Sequence, residues 1–473
     1  MPTTNELRKA ATDALAWAQA QEGVKEAEVF LADNGQLFAR LNFTSHIPSN
    51  GVEEPKSIDS FGIGIQAVFE DGEGVKVGFG SEAGAIGLDA AAEALAKARQ
   101  GAVQDTDFHG LPEPVGGRRT LRRYHDPEIM RMRDTDLVEA GWTVVDGALA
   151  EFESSEQLAV AAKSMDLRAM GLILGGDVTV LQERIAIASS RMPQVQTDES
   201  TLLMSFATAM VEREEAKGNG WSASATLKGF GGYAGEEAAA NAVRSIGGIR
   251  LPSGAYNVVF GPQAVSDLIN HLIAPSLNMG TFRAYSSAFQ GKLGQMIASE
   301  TLSITDEGAT AGLAGSKGIT CEGLPTGRTE LIRDGQLVGL LANNYEFRRA
   351  LAVPDQAKEE LGADPRERRA GLLPRNGFRF ATGGGRRFDS QPGIAATNIV
   401  IEGREPFSHE DLLAKVGDGI YVGRIWYTYP VNGLRAGDFP CTVVADAFRI
   451  ADGRLAEPVC ANSLRISDNL GRL

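Results

Sequence analysis

The 473-residue chain is 43% hydrophobic, enough for two or three domains with buried cores and too apolar for a disordered polymer. Its 46 Lys and Arg against 61 Asp and Glu leave a net charge of −15, a field that repels phosphate backbones and anionic lipid and so argues against nucleic-acid and membrane partners. Cys321, Cys441 and Cys460 are widely spaced and form no CxxC pair, which argues against a disulfide framework and a thiolate zinc cluster and favours a reducing, cytoplasmic setting.

Thr3, Thr4 or Asn5 is placed to cap a helix whose apolar residues Leu7, Ala11, Leu15 and Trp17 or Ala18 recur at helical spacing. The N-terminus has no apolar signal core, and no segment approaches the roughly 20 apolar residues of a membrane span. Residues 26–32 (EAEVFLA) and 36–42 (QLFARLN) alternate around Asn34-Gly35, a two-residue hairpin signal. Strands are expected at 62–69 and 74–79, joined through Asp71-Gly72, before a helix over 88–100 that stops at Gly101. The result is an α-β-β-β-β-α domain over residues 1–113, bounded by the Pro- and Gly-rich stretch 111–120.

A middle α/β region, 114–247, opens with a helical segment over 126–152 and continues into strands at 157–162, 185–189 and 202–212, closing with a helix over 235–245. From residue 248 to 473 short strands and turns dominate, with hairpins at Asp334-Gly335 and Asp452-Gly453. The predicted class is α+β, an N-terminal α/β region with antiparallel strands followed by a β-rich C-terminal domain. Residues 354–392, dense in Arg, Pro and Gly, read as a long, mobile surface loop whose arginines are solvated.

Three short motifs fail on inspection. GFGSEAGAIG (78–87) resembles a dinucleotide loop, but Glu82 sits inside it and the first apolar helical residue waits until Leu88. GWSAS (220–224) lacks the final glycine of a nucleophile elbow and reads as plain strand. SHED (408–411) lacks the second histidine of a zinc helix, and Ser408 with Asp411 reads as a capping box. The five histidines, His46, His109, His125, His271 and His409, are each more than five residues from the next, so no local pair holds a transition metal. Cys441 and Cys460 sit in or beside β runs, where cysteine behaves as a small hydrophobe.

The stretches VVFGP, SSAFQGKLGQMIASETLSITDE (286–307), CEGLPTGRTELIRDGQLVGLLANNYEFRRAL (321–351), GGGRRFDSQPGIAATNIVIEG (383–403), GDGIYVGRIW and GDFPCTVVADAFRIADGRLAEPV (within 417–459) occur in one order. That order resembles the C-terminal half of the TldD/PmbA family of cytosolic zinc-peptidase subunits, whose PmbA member is also called TldE. In catalytic TldD members the helix after the VV-x-GP strand carries H-E-x-x-x-H, with a later cysteine as third zinc ligand. The corresponding residues here read NHLIAP: Asn270 and Pro275 stand at the histidine positions and His271 at the glutamate. An amide oxygen is a poor zinc ligand and proline has no donor. Residues five apart on a regular helix are also rotated by roughly 140°, so the motif needs a distorted helix to focus both rings on one ion.

Because the sequence ends at Leu473, soon after RISDNL, the distal cysteine ligand is expected to be missing as well. The resemblance therefore implies a TldE-like subunit with no cofactor of its own, paired as a heterodimer with a zinc-bearing TldD-like subunit that cleaves small or unfolded peptides, including natural-product precursors. Arg386, Arg387, Arg424 and Trp426 are candidates for substrate or partner contact, and His271 is expected to be packed or partner-facing among Leu268, Ile269, Leu272 and Ile273. Two alternatives stand beside this reading. One is a self-sufficient enzyme of the same fold working through His271, Cys441 or Cys460. The other is a homodimeric peptide-binding protein.

Overall fold

Thr3 opens the first helix, α1 (Thr4–Gln19): its hydroxyl accepts from the Glu6 backbone N–H, and the Glu6 carboxylate reaches back to Thr3, closing a capping box. The computed structural model describes residues 2–47, 50–70, 75–113, 124–380 and 385–473. The chain then runs through β1 (Val24–Thr44), β2 (Val52–Glu70), β3 (Val75–Ala83), α2 (Leu88–Gln100), β4 (Val103–Gln104), α3 (Asp134–Ser154), α4 (Glu156–Ala162), β5 (Leu172–Ser189), β6 (Gln196–Val211), β7 (Ala216–Ser224) and α5 (Tyr233–Arg244). These strands form one antiparallel sheet in the order β4-β3-β2-β1-β5-β6-β7.

The two-residue period of β1 sorts its side chains onto two faces. Ala27, Val29 and Leu31 pack with α1 and α2, and Leu37, Ala39 and Leu41 join the core formed with α3 and α5. All of these are odd-numbered. The even residues Phe30 and Ala32 face the other way, against Cys321, Phe378 and Phe388 from the C-terminal half. Helices thus cover one face of the sheet and the C-terminal half sits on part of the other.

That half holds β8 (Val258–Phe260), α6 (Pro262–Leu268), α7 (Ala274–Ser276), α8 (Met279–Arg283), β9 (Leu302–Glu307), β10 (Arg328–Arg333), β11 (Gln336–Leu337), α9 (Asn344–Ala352), α10 (Pro354–Leu361), β12 (Gly377–Phe378), β13 (Gly393–Ile394), β14 (Ile399–Gly403), α11 (His409–Val416), β15 (Gly419–Trp426), β16 (Asp438–Ala451), β17 (Arg454–Pro458) and β18 (Leu464–Asn469). Its sheets run β11-β10-β9-β14 and β17-β16-β15-β8, with β18 also on β16 and a small β12-β13 pair. The fold is α+β with a β-rich C-terminal part, as the sequence indicates. The hairpins at Asp334-Gly335 and Asp452-Gly453 form as expected, all four residues having positive φ.

Several expectations need correction. Asn34-Gly35 makes no turn: both residues lie inside the continuous β1, paired to Ser60 and Asp59 on one side and to Glu183 and Gln182 on the other. Pairing on both edges outweighs the local turn preference, and the four predicted N-terminal strands become three. The Asp71-Gly72 turn falls outside the described residues. Residues 157–162 are helical, not extended, because Ser155 caps α4 by accepting from the Leu158 N–H. The helix expected from 126 begins at Asp134, after a 3₁₀ turn at Ile129–Arg131. The described part of 354–392 is not a solvated loop; it contains α10, a 3₁₀ turn at Arg369–Leu372 and the β12-β13 pair. Arg379 and Arg386 within it are fully buried.

Those two arginines fasten the halves together. Arg379 donates to Glu28 of β1 at 2.6 Å. Arg386 donates from its side chain to Asp198 of β6 at 2.7 Å and from its backbone to Glu183 of β5 at 2.8 Å. Lys317 reaches the same Glu183 at 2.5 Å and Ser200 at 2.8 Å. Burial alone would raise the Glu183 carboxyl, but Lys317 and Arg386 outweigh it and hold it down at about 2.

Arg386→Met leaves two buried carboxylates short of a partner and should cost on the order of 3–5 kcal/mol at neutral pH, read by urea unfolding. A depressed carboxyl stabilises the fold above its unfolded pKa and ceases to do so as pH falls. The penalty of the variant should therefore shrink between about 4.3 and about 2.

Candidate functional site

The strand β8 ends at Phe260, and Gly261 and Pro262 start α6, with proline at a first-turn position where its missing N–H costs nothing. The helix does not stay regular. Residues Ile269–Ile273 form a π turn before α7 resumes at Ala274. A π turn widens the helix, so residues five apart approach one face instead of diverging by roughly 140°. The distortion that the H-E-x-x-x-H spacing requires is thus present at NHLIAP.

The turn is wedged between two cores. Leu268 and Leu272 pack into the sheet of β15 and β16, and Ile269 packs with Leu277, Met279 and Phe282. Its remaining side carries Asn270 and His271, both exposed, and the half-buried Pro275. Of the two expectations for His271, packed or partner-facing, the packed one does not hold, because the apolar neighbours belong to the inward side of the turn. His271 Nδ1 lies 2.9 Å from the Asp267 carbonyl oxygen, which can only accept, so Nδ1 carries the proton. Its Nε2 has no partner among the described residues. The donor set does not fit zinc, because Asn270 offers a weak amide oxygen, Pro275 nothing, and His271 one nitrogen. Among the described residues no three His, Cys, Asp or Glu side chains gather as a metal site.

Around the turn lie several of the residues singled out from sequence. Arg424 of β15 stands over the Phe206 ring of β6 at 5.2 Å, 3.3 Å from Gln263 and 3.9 Å from Asp267, so it ties the large sheet to α6. Burial raises the Asp267 carboxyl, with Arg424 and His271 opposing. Cys441 of β16 is fully buried behind the helix, and burial together with the Asp267 charge pushes its thiol up to about 12. Trp426 is exposed at the end of β15, stacked on Tyr427 at 5.3 Å, and Tyr429 and Val431 extend the apolar strip. The 3₁₀ turn Leu434–Ala436 that follows packs against α7, and Arg435 donates to the Tyr285 carbonyl.

Cys460 lies elsewhere, its thiol donating to the Gly248 carbonyl at 3.0 Å beside the Ile249–Val459 bridge. Arg386 points inward to Asp198, and Arg387 is half-exposed and paired with Asp389. Of the four contact candidates, Arg424 touches the helix that leads into the turn, and Trp426 is exposed at the end of β15.

Sequence reasoning missed a buried acidic pair. Glu28 and Glu322 line a cavity of about 340 Å³ with Tyr345 and Arg348. Both Glu322 oxygens accept from the Asn344 N–H at 3.0 Å, and burial, helped by the Glu28 charge, pushes its carboxyl up to about 8. Nothing local in CEGLPTG marks that glutamate as buried.

Residues 253–473 match the family model of the PmbA/TldA metallopeptidase C-terminal domain. The C-terminal half of the chain is thus similar to that domain of the PmbA/TldD metallopeptidases. The chain is 27% identical over 224 residues to a metalloprotease of Methanothermobacter thermautotrophicus, covering 46% of this chain and 41% of that protein. It is 26% identical over 227 residues to a metalloprotease TldD homolog of Haemophilus influenzae, covering 47% and 40% respectively. The matches thus span about two fifths of these relatives. The crystal structure of TldE from Thermococcus kodakarensis superposes with a TM-score of 0.72 at 17% identity, covering 98% of this chain and 92% of that one, which is a likeness of fold.

The two candidate thiols differ enough to separate by chemistry. Iodoacetamide at pH 8 should alkylate only Cys460 in the native chain, with Cys321 and Cys441 modified after unfolding, as read by peptide mass spectrometry. Rapid native labelling of Cys441 would mean an accessible thiolate and would revive the nucleophile reading.

Proposed function

We propose that this chain is a zinc-lacking, TldE-like subunit of a cytoplasmic two-subunit metallopeptidase acting on small or unfolded peptides, natural-product precursors among them. The observation that carries this reading is the π turn at Ile269–Ile273, which keeps the geometry of a zinc helix while Asn270 and Pro275 supply no competent ligand. Such turns are rare and concentrate at functional sites. Zinc and the general base would come from the TldD-like partner.

Two further features support a peptide-holding role. From Phe61 onward β2 is bonded on both sides, but residues 52–60 pair only with β1 among the described strands, leaving a free edge that an extended peptide can join through backbone hydrogen bonds. Glu54, Pro55 and Lys56 are exposed there, the kind of residues that discourage self-association of an edge. The exposed aromatic residues Trp426, Tyr427 and Tyr429 at and after the end of β15 offer apolar contact area to a partner or a substrate.

The test is reconstitution with a zinc-bearing TldD-like subunit. His271→Ala, Cys441→Ala and Cys460→Ala should each leave peptidase activity within a few fold, whereas loss of a general base costs on the order of 10²- to 10⁴-fold. Activity in the isolated chain that vanishes with one of these substitutions, circular dichroism unchanged, would instead make the chain an enzyme in its own right.

A further inference from the structure

A second cleft, of about 390 Å³, opens between α5 and β7 of the large sheet and β15 and β16 of the C-terminal half. Asp446 of β16 lines it and is 8% exposed. Its backbone is left-handed, with φ of +56° in the middle of a strand, a conformation that a residue with a Cβ adopts only when its surroundings enforce it. Gly423 makes room: a Cβ there would meet the Asp446 Cβ and carbonyl oxygen at 2.7 Å. One carboxylate oxygen, Oδ2, receives long bonds from the Asn219 backbone at 3.3 Å and side chain at 3.4 Å. The other, Oδ1, is buried and has no hydrogen-bond partner among the described residues.

A buried acceptor with nothing to accept from is unfavourable and calls for a donor. Burial pushes the carboxyl up to about 7, against the two Asn219 bonds and the more distant Arg244, while Glu237 adds to the rise. Arg244 itself is turned to Asn241 and to the Phe448 ring, 6.0 Å away, and no cation of the chain lies within ion-pair distance of Asp446 among the described residues. The walls add Glu236 and Glu237 from α5, Glu151 from α3, and the aromatic Tyr421 and His409, so negative charge exceeds positive. No trio of metal-ligating side chains gathers among the described residues, which favours a cation bound by hydrogen bonds over one bound by coordination.

We propose that this cleft binds a primary ammonium group, carried by a polyamine or by a lysine side chain, with Asp446 Oδ1 as its buried counter-ion. Three N–H donors match an arrangement of one buried carboxylate, the Tyr421 hydroxyl and an α5 glutamate, and the aromatic walls favour a cation over their faces. Nothing in this assignment depends on zinc or on a second subunit.

Isothermal titration calorimetry of the full chain with spermidine and with N-acetyl-lysine amide tests it, N-acetyl-norleucine amide serving as the uncharged control. Saturable binding of spermidine alone assigns a free polyamine; binding of the lysine amide assigns a side chain. In either case Asp446→Asn should weaken binding by about tenfold or more, the loss of a charge-assisted bond. Should that variant lose its native circular dichroism, Glu237→Gln decides, with an expected loss of a few fold. No saturable heat from either amine, equal binding of the norleucine amide, or unchanged affinity in the folded variant overturns the proposal.

Discussion

Glu183, fully buried, accepts bonds from Lys317, Ser200 and the Arg386 backbone and so fastens the C-terminal half to the large sheet. It lies on β5, opposite Asn34 of β1 and Ser200 of β6, while Glu28 of β1 and Asp198 of β6 take Arg379 and the Arg386 side chain. One face of the large sheet is sealed by apolar packing against four helices, a non-directional attraction that fixes little beyond proximity. The other face has apolar contacts as well, around Phe30 and Phe378, but adds charges with definite partners. Ion pairs of this kind add little net stability once desolvation is counted, but an uncompensated member is severely penalised, so they select one docking geometry over its neighbours.

With the C-terminal half so fixed, β15 lies where Arg424 reaches from α6 to Phe206 of β6, and the π turn is presented on the outside of that junction. The helix is held from within by Leu268, Ile269 and Leu272, so its shape is set by packing and not by what its outer side carries. That separation explains how the π turn can coexist with an asparagine and a proline on its outer side. Changing the outer residues costs the core nothing, whereas straightening the turn would disturb both cores.

Much of the fold was legible in the sequence because its signals were local. Thr3 with Glu6, Ser408 with Asp411, and the two Asp-Gly hairpins each act within four residues. Misreadings came where a distant partner overrides the local preference. Asn34-Gly35 is a turn signal only if nothing pairs with it, and here two strands do. The arginines of 354–392 look solvated until Glu28, Glu183 and Asp198 arrive from 351, 203 and 188 residues away. For the site, the donor identities at 270, 271 and 275 could be read directly, and the need for a distorted helix followed from the spacing. The outward direction of His271 and the buried carboxyls of Glu322 and Asp446 could not, since each depends on how separate elements stack.

Zinc analysis most directly tests the proposal that NHLIAP is a metal-helix segment without competent ligands. Elemental analysis of the chain purified without chelator should give far less than one zinc per chain. One tightly bound zinc per chain, retained on dialysis, would contradict it and would require ligands other than Asn270 and Pro275.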